Sequence, residues 1–431
     1  MQFRKLFFSL CCTVALGASL AACSEDEELF DDSGSQVTLP AHRAFILNEG
    51  TQGANNATLS FYAPDKDADF IKDIFYTQNQ AKLGDTGQTM IEYNNDLYAI
   101  ISGSRYLIRM NTAGVEKQRY EIPASEGDPR YLAAENGYIY MTQYGGQVTK
   151  LDANTLQVVA TFKGGANLEG IAECDGKLYV ANSYTKNDAG YQYHTDLFVI
   201  NEATMQLETT LTVDINPNQV LEEDGKIFLI SWGNYADKGY SAQMIDPKDN
   251  YKSTSLGVAT NMTVGDDMVY FVNSETDYSN WPHTSTTNTF FSYDVKTATV
   301  NSSSFLKNAP AELATSSVYM MSVDDENGDI YIGVTFYSNS DGTMYRFDRN
   351  GILSKSLIAA ARTRKPSFLL IEFYETNLTI CPYSNFSLAS LCLWRRKQDF
   401  FCSGGRRYPE NEVCHQLVGG EVSGLYDGFY P

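Results

Sequence analysis

The feature that most limits what this chain can fold into is a short phrase that returns seven times. It joins a turn pair to an apolar residue, an aromatic and further β-forming residues. It reads Asn95-Asp96-Leu97-Tyr98, Asn136-Gly137-Tyr138-Ile139-Tyr140, Asp175-Gly176-Lys177-Leu178-Tyr179 and Asp224-Gly225-Lys226-Ile227-Phe228. It continues as Asp266-Asp267-Met268-Val269-Tyr270 and Asn327-Gly328-Asp329-Ile330-Tyr331, and a first copy without its turn is Ala44-Phe45-Ile46-Leu47. The aromatic falls at Phe45, Tyr98, Tyr140, Tyr179, Phe228, Tyr270 and Tyr331, in steps of 53, 42, 39, 49, 42 and 61 residues. Periods near 40 with irregular insertions, built on turns between short β runs, are the signature of a β-propeller. The Asn/Asp-Gly pair supplies the positive φ of a tight hairpin, and the alternation after it makes a half-buried strand. The chain is therefore expected to be all-β, a seven-bladed propeller over residues 42–355.

The N-terminus predicts where such a propeller works. Arg4 and Lys5 precede an apolar run, Leu6 to Leu20, too short to remain as a membrane span and typical of a signal peptide (residues 1–22). The run ends in Leu20-Ala21-Ala22-Cys23, which looks like a bacterial lipobox, so Cys23 is the expected lipidation site. Two or more acyl chains on one residue give stable anchoring, each buried methylene contributing about 0.8 kcal/mol. Ser24-Glu25-Asp26-Glu27-Glu28 resembles the signal that sends some lipoproteins to the outer face of the outer membrane. An acidic, solvated run of this kind also reads as a tether. Residues 23–41 are accordingly expected to be a flexible stalk, and the membrane is touched through the lipid alone.

The formal net charge of −21 argues against nucleic acid or anionic lipid as partner. Cys11 and Cys12 leave with the signal peptide and Cys174 stands alone in the repeats, so neither a disulfide framework nor a zinc spacing is visible there. Residues 356–431 break the pattern. They hold four of the eight cysteines (Cys381, Cys392, Cys402, Cys414), and eight positive charges against seven acids leave the tail at +1. A shifted reading frame after about residue 355 would produce this break, a small appended domain being the alternative. Because little precedes Ala44, the innermost strand of the first blade must come from the C-terminus to close the ring. The only apolar run nearby is Ser367-Phe368-Leu369-Leu370-Ile371-Glu372-Phe373, and closure through it is expected to be compromised.

The repeats resemble one family. Ile46-Leu47-Asn48-Glu49-Gly50 with Asn55-Asn56-Ala57-Thr58-Leu59 looks like its opening phrase. Lys82-Leu83-Gly84-Asp85-Thr86-Gly87-Gln88, Pro129-Arg130-Tyr131-Leu132-Ala133-Ala134 and Asn167-Leu168-Glu169-Gly170-Ile171-Ala172 are further matches. These are similar to the YncE-like seven-bladed lipoproteins, whose characterised branch is the BtuG surface proteins. That resemblance implies capture of cobalamin outside the cell and delivery to a TonB-dependent outer-membrane transporter. The family's closing Gly-x-x-Pro strand is not recognisable here.

In a propeller, the loops entering the innermost strands and those joining strands two and three share one face. Those loops supply the candidate ligand-binding residues Asn48, Glu49, Asp85, Gln88, Arg105, Asp128, Arg130, Tyr144, Glu169, Tyr184, Asn218, Trp232, Tyr235, Trp281 and Tyr337. Gly-Asp and Asn-Pro loops are often plain turn chemistry. The aromatics differ, because core packing does not call for tryptophan in a long loop. Aromatic and amide groups converging on one face suit a large flat ligand with an amide rim, such as a corrin ring. No cofactor, metal ligand set or nucleophile motif is visible, and the chain is expected not to be an enzyme. A propeller lactonase or lyase and a glycan-binding surface protein are the alternatives.

Overall fold

The computed structural model describes residues 30–64, 70–277, 279, 285–324, 327–335, 342–358, 370–373, 378–380 and 391–393. The expected signal peptide (residues 1–22), Cys23, the acidic run, Trp281, Tyr337 and most of the 356–431 tail lie outside the described residues. Seven four-stranded antiparallel sheets form the ring of a seven-bladed β-propeller. Their innermost strands are Leu370–Phe373, Gly87–Tyr93, Pro129–Glu135, Asn167–Cys174, Pro217–Glu223, Asn261–Gly265 and Ser317–Val323 for blades one to seven. A second unit of the chain contains a small ribbon, Leu378–Ile380 paired with Leu391–Leu393.

Each repeated aromatic lies on the second strand of its blade. Phe45, Tyr98, Tyr140, Tyr179, Phe228 and Tyr331 are fully buried between neighbouring sheets. The turns before them adopt the left-handed backbone their residues favour: Asn136 and Gly137 at φ 51° and 83°, Asp175 and Gly176 at 51° and 76°. In blade two the left-handed pair is Asn94-Asn95, one residue earlier than the phrase suggests, and Asp96 already opens the strand.

Beneath these turns a second repeat appears. Glu92, Glu173 and Glu222 each stand at the lower end of an innermost strand and accept a hydrogen bond from a backbone N–H three residues on, those of Asn95, Gly176 and Gly225 (2.9, 2.7 and 2.6 Å). Each bond gives a turn N–H a protein partner, a net contribution of about 0.5–1.5 kcal/mol.

Closure of the ring follows the expected route. Leu370–Phe373 pairs with Arg43–Ile46, within the Ser367–Phe373 run, although over only four residues. Blade seven also meets blade one without help from the tail. Ala44, Ile46 and Tyr62 pack with Met320, Tyr331 and Met344, and Arg346 bonds Asp329 (2.6 Å) and the Pro64 carbonyl (2.7 Å).

The stalk is shorter than its composition implies. Residues 30–41, read as part of a flexible tether, are docked on blades one and two. The Arg43 guanidinium pairs with Asp32 and lies 4.3 Å over the Phe30 ring. Lys117 pairs with Asp31, and the Thr112 hydroxyl and Asn111 amide donate to the Asp31 and Ser33 carbonyls. Asn111 and Thr112 begin the loop between strands three and four of blade two, at the end of the ring away from the candidate ligand loops.

Candidate functional site

The innermost strands carry the site, and irregularities in them aim its side chains. Near the upper end of five of these strands the pairing register slips, at Gly87/Thr89, Pro129/Leu132, Leu168/Ile171, Pro217/Gln219 and Val318/Met320. Such β-bulges redirect a side chain that the regular alternation would send into a blade interface. The residues within the slips include Gln88, Arg130, Glu169, Asn218 and Tyr319, one from each of blades two, three, four, five and seven. Asn261 of blade six belongs to a regular stretch.

These residues and their neighbours tie every pair of adjacent blades together. The Gly87 N–H donates to the Glu49 carbonyl (3.0 Å) between blades one and two. Arg130 donates through Nη1 to Gln88 (2.7 Å) and through Nε to Glu169 (2.9 Å), spanning blades two to four. Ser183 Oγ donates to Asn216 Oδ1 (2.5 Å) between blades four and five. Gln219 exchanges two bonds with the Met262 backbone, Asn261 donates to the Tyr319 carbonyl (2.8 Å), and the Tyr319 hydroxyl donates to Glu49 (2.8 Å), which completes the circle.

A cavity of about 260 Å³ opens on this face over blades three to five. Arg130, Tyr144, Glu169, Tyr184, Asn218, Trp232 and Tyr235 line it, seven of the residues expected from sequence. Its floor is charged but neutralised. Glu169 is only 2% exposed and accepts from both Arg130 and the Tyr144 hydroxyl. Burial opposes the charge on Arg130, yet the Glu169 carboxylate beside it holds the guanidinium above its ordinary value. Burial and the same carboxylate push the Tyr144 phenol well up, and that of Tyr131 up to about 12. The Arg130 guanidinium also lies 4.8 Å over the Tyr144 ring.

The wall is aromatic. Tyr184 meets Tyr144 at 5.9 Å and Tyr191 at 5.5 Å, and Tyr193 meets Tyr235 at 5.8 Å. Tyr191 and Tyr193 lie nearly parallel, at 8°. This wall exists because strands two and three of blade four, Lys177–Asn187 and Gly190–Asn201, run on as a hairpin beyond the blade edge. Tyr191, Tyr193, Ser183 and Asn216 also line the cavity and were not among the expected residues. The Tyr191-Gln192-Tyr193 alternation was the available signal, since residues two apart on a strand share a face. Trp232 and Tyr235 come from a tight loop in which Gly233, at φ 71°, places the Lys238 carbonyl where a side chain would be. Tyr235 and Asn216 themselves hold positive φ (56° and 64°), a conformation that L-residues other than glycine seldom adopt and that gathers at functional sites.

The remaining expected residues fall elsewhere. Asp85, Arg105 and Asp128 line a second cavity of about 280 Å³ over blades one to three, with Gln52, Thr86 and Ser102. There Asp85 accepts from the Gly53 N–H, and Arg105 pairs with Asp128. Asn48 lines neither cavity. It is the last residue of its strand, wholly buried, with its amide donating to Ser60 and Thr58 inside blade one. Glu49 and Gln88 serve the circle of hydrogen bonds. Among the described residues no group of three or more His, Cys, Asp and Glu stands together to hold a metal ion.

Comparison with known proteins agrees with this architecture. The chain is similar to a quinonprotein alcohol dehydrogenase-like protein of Bacteroides thetaiotaomicron, at 12% identity over 73% of this chain and 74% of that one, with a TM-score of 0.53. Hydrazine synthase of Kuenenia stuttgartiensis matches at 16% identity (60% and 74% covered, TM-score 0.46). BamB of Moraxella catarrhalis matches at 11% (76% and 86% covered, TM-score 0.42). At such identities the first likeness speaks for the fold alone. No curated protein matches the chain. The model of one family, described as a domain of unknown function (DUF5074), matches residues 43–356, and the chain belongs to that family.

Proposed function

We propose that this protein is a binding protein of the outer-membrane surface, lipid-anchored at Cys23, that captures a small-molecule cargo and passes it to a TonB-dependent transporter. The cargo that fits best is a corrinoid such as cobalamin. The observation that carries the reading is the meeting of Tyr144, Tyr184, Tyr191, Tyr193, Trp232 and Tyr235 with a buried polar floor around one cavity. Flat ring faces stack on such aromatics, and buried amides and paired charges meet the polar rim of the ligand. A corrinoid is larger than this cavity. One amide-bearing edge would enter it while the macrocycle rests on Tyr191 and Tyr235, both more than half exposed. The resemblance of the repeats to the YncE-like and BtuG lipoproteins supports the same cargo and partner. The floor reads as binding chemistry because Arg130 and Glu169 engage each other and leave no acid or base poised for proton transfer.

A second reading, glycan capture, is favoured by the nearly parallel Tyr191 and Tyr193, a platform on which a sugar ring could lie. Isothermal titration of the purified protein with cyanocobalamin decides between them. Saturable heat at micromolar protein is expected. Its absence, together with quenching of tryptophan fluorescence by neutral oligosaccharides, moves the assignment to glycans. For the anchor, Cys23→Ala should abolish surface exposure, read by protease shaving of intact cells; unchanged exposure refutes lipidation at that residue.

A further inference from the structure

Of the five residues aimed by bulges, four are occupied within the protein. Gln88, Arg130 and Glu169 bond one another, and Tyr319 bonds Glu49. Asn218 is different. It is 98% buried (2% exposed), lines the aromatic cavity, and its Nδ2 has no hydrogen-bond partner among the described residues. Buried polar atoms without partners are rare in folded proteins, and each calls for a reason.

The backbone holds this asparagine in place. Asn218 occupies the register slip between Pro217 and Gln219, and the preceding Asn216 holds positive φ. Gly170 of blade four faces it so closely that a Cβ there would lie 2.4 Å from the Asn218 carbonyl oxygen. A glycine, a bulge and a left-handed residue thus fix the backbone of Asn218 where it lines the cavity.

We propose that Asn218 reads a neutral hydrogen-bond acceptor on the ligand, an amide carbonyl or hydroxyl oxygen, and thereby selects uncharged over anionic ligands. The donor alone would accept a carboxylate as well. The selection against charge comes from its surroundings. The cavity's one guanidinium, Arg130, is already engaged by Glu169, so an incoming anion would meet a buried carboxylate with no free cation to offset it. The proposal rests on the reading of this face as a ligand site and adds the chemistry that the ligand must present.

The test compares wild type with Asn218→Leu and Asn218→Asp in the full-length protein. The probes are cyanocobalamin, maltohexaose and the anionic trigalacturonate, with titration calorimetry and thermal unfolding as readouts. Both variants should bind the best neutral probe at least tenfold more weakly. Asn218→Leu should unfold at the same or a higher temperature, because it removes a buried donor that the fold does not satisfy. Binding within twofold of wild type in Asn218→Leu overturns the proposal, as does tighter binding of trigalacturonate than of either neutral probe. A lowered unfolding midpoint in Asn218→Leu also overturns it, by showing the amide to be structural. If wild type binds none of the probes, the cargo reading falls, and the unfolding comparison alone decides the role of Asn218.

Discussion

The two ends of the innermost strands follow opposite rules. At the lower end the same residue does the same work in blades two, four and five: Glu92, Glu173 and Glu222 each accept from the N–H of a hairpin turn. At the upper end the backbone irregularity repeats but the side chain does not. Glutamine, arginine, glutamate, asparagine and tyrosine stand at corresponding slips. The lower end thus repeats one bond in three blades, while the upper end sets different side chains on the same backbone device. The contrast is sharpest in blade four, whose innermost strand places Glu169 in the cavity and Glu173 under a turn.

The largest effect should come from separating the charges at the upper end. Glu169→Ala leaves Arg130 buried beside a vacancy, and removing one partner of such a pair typically costs about 3–5 kcal/mol. Urea unfolding measures it, and a loss below about 1 kcal/mol would mean that water reaches the floor and the two ends do not differ in this way. Next comes the wall: Tyr184→Ala should weaken cyanocobalamin binding by roughly tenfold to a hundredfold, about 1.4–2.7 kcal/mol, with stability little changed. An unaltered dissociation constant would remove the aromatic hairpin from the site. At the lower end, Glu222→Ala should cost about 1 kcal/mol by unpairing one turn amide, and should leave ligand affinity untouched.

A further expected effect is a slope rather than a step. Burial, reinforced by Glu135, Glu202 and Glu222 nearby, raises the Glu173 carboxyl from its ordinary 4.5 to about 7. Below pH 4.5 both the folded and the unfolded chain hold the proton, and the full contribution is present. Between 4.5 and 7 only the folded chain holds it, so this contribution to stability is lost as the pH rises through that window. Glu173→Gln should flatten the profile of unfolding midpoint against pH there. An identical slope in the variant would show that Glu173 does not carry it.

The blades were legible because the aromatic phrase, the turn residues and the strand alternation all point the same way. Arg130, Tyr144, Glu169, Tyr184, Asn218, Trp232 and Tyr235 were legible because loops on one face of a propeller must converge. Other features needed coordinates. Asn48 reads as a loop residue by its position in the phrase, yet its strand runs one residue further and folds it inward. A bulge adds a residue without changing composition, so the register slip between Pro217 and Gln219 could not be read from Asn216-Pro217-Asn218-Gln219. The docking of residues 30–41 was hidden for a different reason. An acidic stretch looks solvated until its partners, Arg43 and Lys117, are brought beside it by the ring.

That docking sets the length of a leash. With residues 30–41 held beside Asn111 and Thr112, only six residues separate Cys23 from the docked segment. Fully stretched, seven Cα steps from Cys23 to Phe30 reach about 25 Å at most, since a residue spans at most about 3.6 Å. A propeller lipidated at Cys23 would therefore ride close to its membrane, tethered from the end of the ring opposite the aromatic cavity.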